Sequence, residues 1–325
     1  MSRRVAAIDC GTNSLRLLIA DADPARHELT DLNRRMEIVR LGQGVDATGR
    51  LAPEALDRTM RMLAEYARDI KAAGAVAVRM VATSATRDAA NAADFTSGVE
   101  VTLGVLPEVI SGQEEAALSF VGATAELSAE PTPGAGPRPD PPFLVVDIGG
   151  GSTEFVLGKP GASPERGNDL AAISVDVGCV RLTERHLHTD PPTAPEIAAA
   201  GSDIDRALDD VSAALAVEEA RTLVGLAGSV TSVTAIALGL EAYDPSRTHH
   251  ARIPASTVHA VTAQLLDETR HQRAAIGSLH PGRVDVIAAG ALVLDRVMQR
   301  FGFAEVVASE HDILDGIAWS IAGSG

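Results

Sequence analysis

Cysteine, aromatic side chains and lysine are all scarce in this chain, and each shortage excludes something. Only Cys10 and Cys179 occur in 325 residues, both beside glycine and neither in Cys-x-x-Cys spacing, which argues against a zinc site or a disulfide framework. Six Phe, two Tyr and one Trp leave little on which nucleic-acid bases could stack. The formal net charge of −16 opposes a phosphodiester backbone as well, so nucleic acid is not an expected partner. Lysine stands only at 71 and 159; the remaining cations are Arg, a bias that reads as genome base composition and gives Arg content no functional weight by itself. No apolar run is long enough to cross a bilayer. Asp9 interrupts the place where a signal peptide would need its apolar region. The expectation is a soluble, cytoplasmic protein with no membrane partner.

What the chain has instead is one phrase written twice. Ile8-Asp9-Cys10-Gly11-Thr12-Asn13-Ser14 runs into apolar Leu15 to Ile19, and Val146-Asp147-Ile148-Gly149-Gly150-Gly151-Ser152 runs into Thr153 to Leu157. Each copy predicts a β-hairpin whose tight turn exposes backbone N–H groups beside one carboxylate. A single Asp-x-Gly-x-x-Ser is ordinary hairpin punctuation. Two in the same setting predict a phosphate clamp, in which glycines admit the ligand to the backbone and Asp holds a divalent cation. The expected cradle is Gly11, Thr12, Asn13 and Ser14 with Gly149, Gly150, Gly151, Ser152 and Thr153.

A chain of 325 residues accommodates about two domains, matching the two copies. The first half alternates strand and helix. Leu51-Ala52-Pro53 opens a helix with Leu56, Met60, Leu63, Ala67 and Ile70 on one face, and Gly74 stops it. Val76 to Ala82 reads as a strand entering the polar turn Thr83 to Asp88, and Glu108 to Ile110 as another. Ser111 and Glu114 have capping-box spacing at the start of a helix that runs to about 126. Between Thr124 and Pro142 six prolines and two glycines mark a linker or loop. Beyond it come the second hairpin, a strand from Ala172 to Val177, a turn into a helix at Gly178 to Glu184, helices over 195–215 and 256–269, and an apolar terminal helix near 312–321. Leu223 to Thr231 reads as a strand, a glycine turn and a helix start. The predicted domains are 1–123, to which a terminal helix over about 311–325 packs back, and 143–310.

Four segments are specific together: Ala7 to Leu18; Ala82-Thr83-Ser84-Ala85-Thr86-Arg87-Asp88-Ala89; Val109-Ile110-Ser111-Gly112-Gln113-Glu114-Glu115-Ala116; and Val146 to Glu154. In order and approximate spacing they resemble the exopolyphosphatases and guanosine pentaphosphate phosphohydrolases, and the similarity continues through Gly178 to Glu184, Gly225 to Thr231 and Arg283 to Gly290. The resemblance implies an α/β protein of two ribonuclease-H-like domains, the fold of actin, heat-shock chaperone ATPases and sugar kinases, with the active site in an interdomain cleft. Two departures stand out. The 124–142 segment is longer than usual, and Leu314 stands where relatives often carry Arg.

Hydrolysing a terminal phosphoanhydride needs an in-line water, a group to deprotonate it and positive charge on the non-bridging oxygens. The resemblance places the base on Glu115, in a first helical turn whose dipole favours the anion; Glu114 reads as a solvated capping residue. Arg87, after its Thr-Ser-Ala-Thr turn, offers a fork of donors to phosphate. Asp147 and Glu154 lie on the two arms of the second hairpin and are expected, with Asp9 from the first, to hold Mg2+ or Mn2+; the alternative for Glu154 is an exposed strand position. Further candidates are Arg181, Gly228 and Ser229. The histidines, including His249, His250 and His280, show no ligand spacing.

These residues predict a Mg2+-dependent exopolyphosphatase acting on inorganic polyphosphate. The nearest rival is pppGpp hydrolysis by the same groups, disfavoured by the few aromatics available to guanine. A kinase on this fold is weakened by the Ser-Gly-x-Glu-Glu-Ala segment, and a non-catalytic polyphosphate or alarmone sensor by the four carboxylates Asp9, Glu115, Asp147 and Glu154. Because the chain ends at Gly325 soon after the terminal helix and shows no basic run, short chains and distributive cleavage are expected, unless a homodimer builds a shared channel.

Overall fold

The computed structural model describes residues 2–26, 28–125, 127, 139–160 and 170–323. Most of the Pro/Gly-rich stretch, residue 126 and residues 128–138, lies outside them. The chain forms two compact units, Met1–Gly122 with Ile313–Gly325, and Ala123–Asp312.

In the first unit β1 (Arg3–Cys10) and β2 (Ser14–Asp23) make an antiparallel hairpin and β3 (Glu28–Ile38) continues it, while β4 (Ala77–Ala82) pairs parallel to β1 and β5 (Glu108–Val109) parallel to β4. The order is β3-β2-β1-β4-β5. Successive side chains of a strand face opposite sides, and both sides are dry here. Ala6, Ile8 and Cys10 pack with the Pro53–Ala73 helix, whereas Val5 and Ala7 pack with Ile313, Leu314, Ile317 and Ala318 of the Ile313–Gly323 helix. Leu314 is therefore a core residue, 2 % exposed. The buried stripe of the Pro53–Ala73 helix is Ala55, Thr59, Leu63, Tyr66 and Ile70, rotated from the expected one. Tyr66 enters the core because its hydroxyl donates to the Leu15 carbonyl at 2.9 Å, which satisfies its one polar atom. The polar turn after β4 is itself a one-turn helix, Ser84–Arg87, and a further helix spans Ala92–Leu103.

The second unit repeats the plan. Strands β6 (Phe143–Ile148), β7 (Thr153–Gly158) and β8 (Leu170–Val175) form an antiparallel meander; β9 (Thr222–Leu226) lies parallel to β6 and β11 (Glu305–Ala308) parallel to β9, with β10 (Arg252–Pro254) antiparallel at the edge. Its order, β10-β11-β9-β6-β7-β8, read from β8 inward matches the first sheet strand for strand. This is the ribonuclease-H-like arrangement twice over. The expected glycine turn after β9 does not exist: the strand runs to Leu226, the helix Ala227–Ala237 starts at once, and Ala227 takes the change of direction at φ 64°. The Ile287–Phe301 helix is buried without a break from Ile287 to Asp295, so it carries no polar stripe there to announce it. Among the described residues no helix is long and apolar enough to cross a membrane.

Candidate active site

Both hairpin turns close the same way, with Gly11 N–H donating to Ser14 O at 3.0 Å and Gly149 N–H to Ser152 O at 3.0 Å. Those two amides, expected in the phosphate cradle, are thus engaged in the turns. A following segment then grips each turn by its carbonyls. In the first unit Val39 and Arg40 N–H donate to Asn13 O and Gly42 N–H to Thr12 O; in the second Cys179 N–H donates to Gly149 O and Val180 and Arg181 N–H to Gly150 O. Such an approach leaves no room for side chains. A Cβ on Gly178 would lie 2.4 Å from Gly150 O, and one on Gly42 2.3 Å from Thr12 Cγ2. Because each peptide is planar and trans, a carbonyl drawn toward the grip turns the next residue's N–H the other way. Asn13, Gly150 and Gly151 follow carbonyls so drawn, and their amides point away from the grip.

The carboxylates differ between the hairpins. Asp147 lies directly opposite Glu154 in the β6/β7 register, and both are buried, Glu154 at 1 % exposure. The exposed alternative for Glu154 is therefore excluded. Its Oε1 accepts from Ser174 Oγ at 2.7 Å on β8. Directly opposed like charges are unfavourable, and a buried pair calls for a counter-charge, which fits a divalent cation completed by waters and substrate oxygens. Asp9, at the equivalent place on β1, lies opposite Arg16, whose Nε and Nη2 both donate to its Oδ2, at 2.9 and 2.7 Å. Asp9 therefore faces a cation within its own hairpin, whereas Asp147 faces a second carboxylate, so the three expected cation ligands do not share one setting. No group of three or more His, Cys, Asp or Glu side chains among the described residues is placed to hold a metal.

Around the first turn the carboxyl ends of β1, β4 and β5 converge, with Thr83 N–H donating to Cys10 O and Ile110 N–H to Ala82 O. The Thr12 and Ser84 hydroxyls are 2.9 Å apart and buried. Three residues on, Arg87 Nη1 donates to Ile110 O at 3.0 Å and to Glu115 Oε2 at 3.3 Å. Glu115 is 9 % exposed in the first turn of the Gly112–Thr124 helix. Its neighbour Glu114 is exposed and paired with Arg79 at 2.8 Å. The structure thus brings Arg87 and Glu115 together and sets Glu114 apart.

Several candidates make contacts within the scaffold. Thr153 is fully buried and donates its hydroxyl to Val177 O at 2.5 Å. Arg181 Nε donates to Gly151 O at 2.7 Å, with Asp176 3.9 Å from its Nη2, so its guanidinium helps hold the second turn. Gly228 lies under Arg283, which donates to its carbonyl at 3.2 Å and to Ser232 Oγ at 3.1 Å. Ser229 is buried against Gly290 and hydrogen-bonds Cys179, whose thiol burial pushes up in pKa. The histidines were not read as neighbours, yet His249 stacks on His250 with ring centroids 3.7 Å apart and lies 4.7 Å from His311. Arg16, Ser84 and Ser174 escaped the sequence reading. Arg16 had a signal, since it stands seven residues after Asp9 as Glu154 does after Asp147.

The comparisons with known proteins agree with this geometry. Exopolyphosphatase 2 of Mycobacterium tuberculosis is 50 % identical over 331 aligned residues, covering 98 % of this chain and 99 % of that protein. The crystal structure of an exopolyphosphatase-like protein superposes with a TM-score of 0.89 at 42 % identity, over 98 % of each chain. That of an Aquifex aeolicus Ppx/GppA protein gives 0.79 at 28 % identity, over all of both chains. With doubled turns, a buried Glu115 beside Arg87 and a family model that matches residues 18–324, the chain belongs to the Ppx/GppA phosphatase family.

Proposed function

We propose that this protein is an exopolyphosphatase that releases terminal orthophosphate from inorganic polyphosphate, preferring short chains. The observation that carries this reading is the buried Glu115 held by Arg87 at the carboxyl ends of β4 and β5, beside the Thr12–Ser84 contact of the first turn. The relative of that name in M. tuberculosis, at 50 % identity, supports it.

Glu115 takes a proton from the attacking water as the water oxygen bonds to the terminal phosphorus. The bridging P–O bond breaks, and the shortened chain leaves on its own oxygen. Arg87 fixes the carboxylate and offers its remaining donors to the phosphoryl oxygens. In the first unit the Asn13 amide and the Ser14 side chain orient the chain end; in the second the turn offers the Gly150 and Gly151 amides and the Ser152 side chain to a phosphate. Asp147 and Glu154 would hold Mg2+ or Mn2+, which when bound offsets phosphate charge. Short chains are favoured because surface Arg34, Arg35 and Arg79 are tied to Asp315, Asp69 and Glu108, leaving them little free charge for a long polyanion.

The test is phosphate release from polyphosphates of graded length, pppGpp and ATP, with and without Mg2+. Fastest release from short polyphosphate supports the reading. Preference for pppGpp, transfer to an acceptor instead of water, or binding without turnover would replace it by the nucleotide hydrolase, kinase or sensor.

A further inference from the structure

In both sheets a third strand runs beside the hairpin, and the register carries each charged pair onto it. Asp147, Glu154 and Ser174 are direct neighbours across β6, β7 and β8, as Asp9, Arg16 and Met36 are across β1, β2 and β3. Directly opposed residues of antiparallel strands put their side chains on one face, so each trio forms a row. The two rows differ in a matched way. Where the middle strand carries Arg16, the third carries Met36, whose side chain has no hydrogen to donate; where the middle strand carries Glu154, the third supplies a hydroxyl.

That hydroxyl is engaged: Ser174 Oγ donates to Glu154 Oε1 at 2.7 Å. Glu154 is buried, and Ser174 is half-buried on the edge strand of the sheet. The kind of donor matters. Arg16 gives Asp9 two hydrogen bonds and a positive charge with them, whereas a serine hydroxyl orients a carboxylate without cancelling its charge. Holding one carboxylate oxygen also removes rotamer freedom from a long side chain before any ligand arrives. Mg2+ demands near-ideal octahedral geometry while Ca2+ accepts more oxygens in flexible arrangements, so the rigidity of the donors helps decide between them.

We propose that Ser174 is a positioning residue for the cation site: its hydroxyl holds the Glu154 carboxylate in the orientation that Mg2+ requires and so favours Mg2+ over Ca2+ at Asp147 and Glu154. The inference rests on the cation-assisted phosphatase reading. Ser174 acts through Glu154, as outer partners of metal ligands do.

Cation binding to the substrate-free protein tests this without turnover, with Mn2+ affinity read by electron paramagnetic resonance and Mg2+ and Ca2+ added as competitors. Loss of an outer partner costs roughly 10- to 100-fold in metal affinity. Ser174→Ala is expected to weaken Mg2+ by about tenfold or more and Ca2+ by at most about threefold. The Mg2+ midpoint of phosphate release should shift to match, with kcat at saturating Mg2+ within about threefold of wild type. Ser174→Thr keeps the hydroxyl on a residue type suited to a strand and should restore both affinities. In a Glu154→Gln background, adding Ser174→Ala should weaken Mg2+ no further, because the two changes remove one interaction. Unchanged Mg2+ affinity in Ser174→Ala overturns the proposal, as do equal losses for the two cations or a Thr variant no better than the Ala one. Wild-type protein that binds Mg2+ without releasing phosphate refutes the phosphatase reading, and the affinity ratio still judges Ser174; wild-type protein that binds none of the three cations overturns the cation site and this proposal together.

Discussion

The β1/β2 and β6/β7 hairpins have one turn geometry and one register, and differ at a single decisive pair: Asp9 faces Arg16, Asp147 faces Glu154. One hairpin is electrically closed. The other sets two buried carboxylates side by side on one face, one of them taking a hydrogen bond from Ser174. In the proposed function the duplicated scaffold is divided between an anion-binding turn beside a base, in the first unit, and an anion-binding turn beside a cation site, in the second.

The largest effect should come from the part that only the first unit has. Glu115→Gln is expected to lower kcat by about two to four orders of magnitude with Tm nearly unchanged, whereas Glu114→Gln, which loses only an exposed pair with Arg79, should stay within about threefold. Equal losses in phosphate-release assays would refute the assignment. Next, Asp147→Asn and Glu154→Gln should raise the Mg2+ concentration for half-maximal activity roughly 10- to 100-fold. Asp9→Asn should move that midpoint far less; a shift as large as that of Asp147→Asn would break the comparison.

Stability should show the converse. Arg16→Met leaves Asp9 buried without its bidentate partner and is expected to cost about 3 kcal/mol, read by denaturant unfolding. The smallest effect lies far from either turn. Glu196, accepting from Thr189 and the Thr193 and His188 amides, has its pKa lowered to about 2. Its stabilising contribution is therefore complete above the ordinary carboxylate pKa of about 4.5 and is lost as pH falls toward 2. Glu196→Gln should lower Tm at pH 7 but converge on wild type near pH 2 to 3, with no change in Mg2+ dependence.

The doubled turn was legible because hairpin punctuation is local: Asp, Gly and Ser at fixed spacing suffice to mark it. The Arg16/Glu154 difference was equally present in the sequence, but a charged residue in an apolar strand reads as solvent-facing until the register puts a partner opposite it. Tyr66 was missed because its burial depends on a carbonyl 51 residues away, and Ala227 because nothing in an alanine announces positive φ. Strand β3, with Glu28, Asp31, Arg34 and Arg35, lacked an apolar run because it lies at a sheet edge. Arg181 illustrates the limit for single residues: its type suits phosphate, and only coordinates show it holding Gly151 O.

The Ile313–Gly323 helix covers one face of β1, β2 and β4, which sets a timetable for biosynthesis. The strands β1, β2 and β4 leave the ribosome well before it and form a sheet whose second face stays wet until this later segment emerges, after the whole of the other unit. At about 5–20 residues per second the wait is on the order of ten seconds or more, during which Val5, Ala7, Leu18 and Ala20 remain open to chaperones or to neighbouring nascent chains. Removing those last turns would therefore strip a wall from the N-terminal unit while the internal unit, already folded, is untouched.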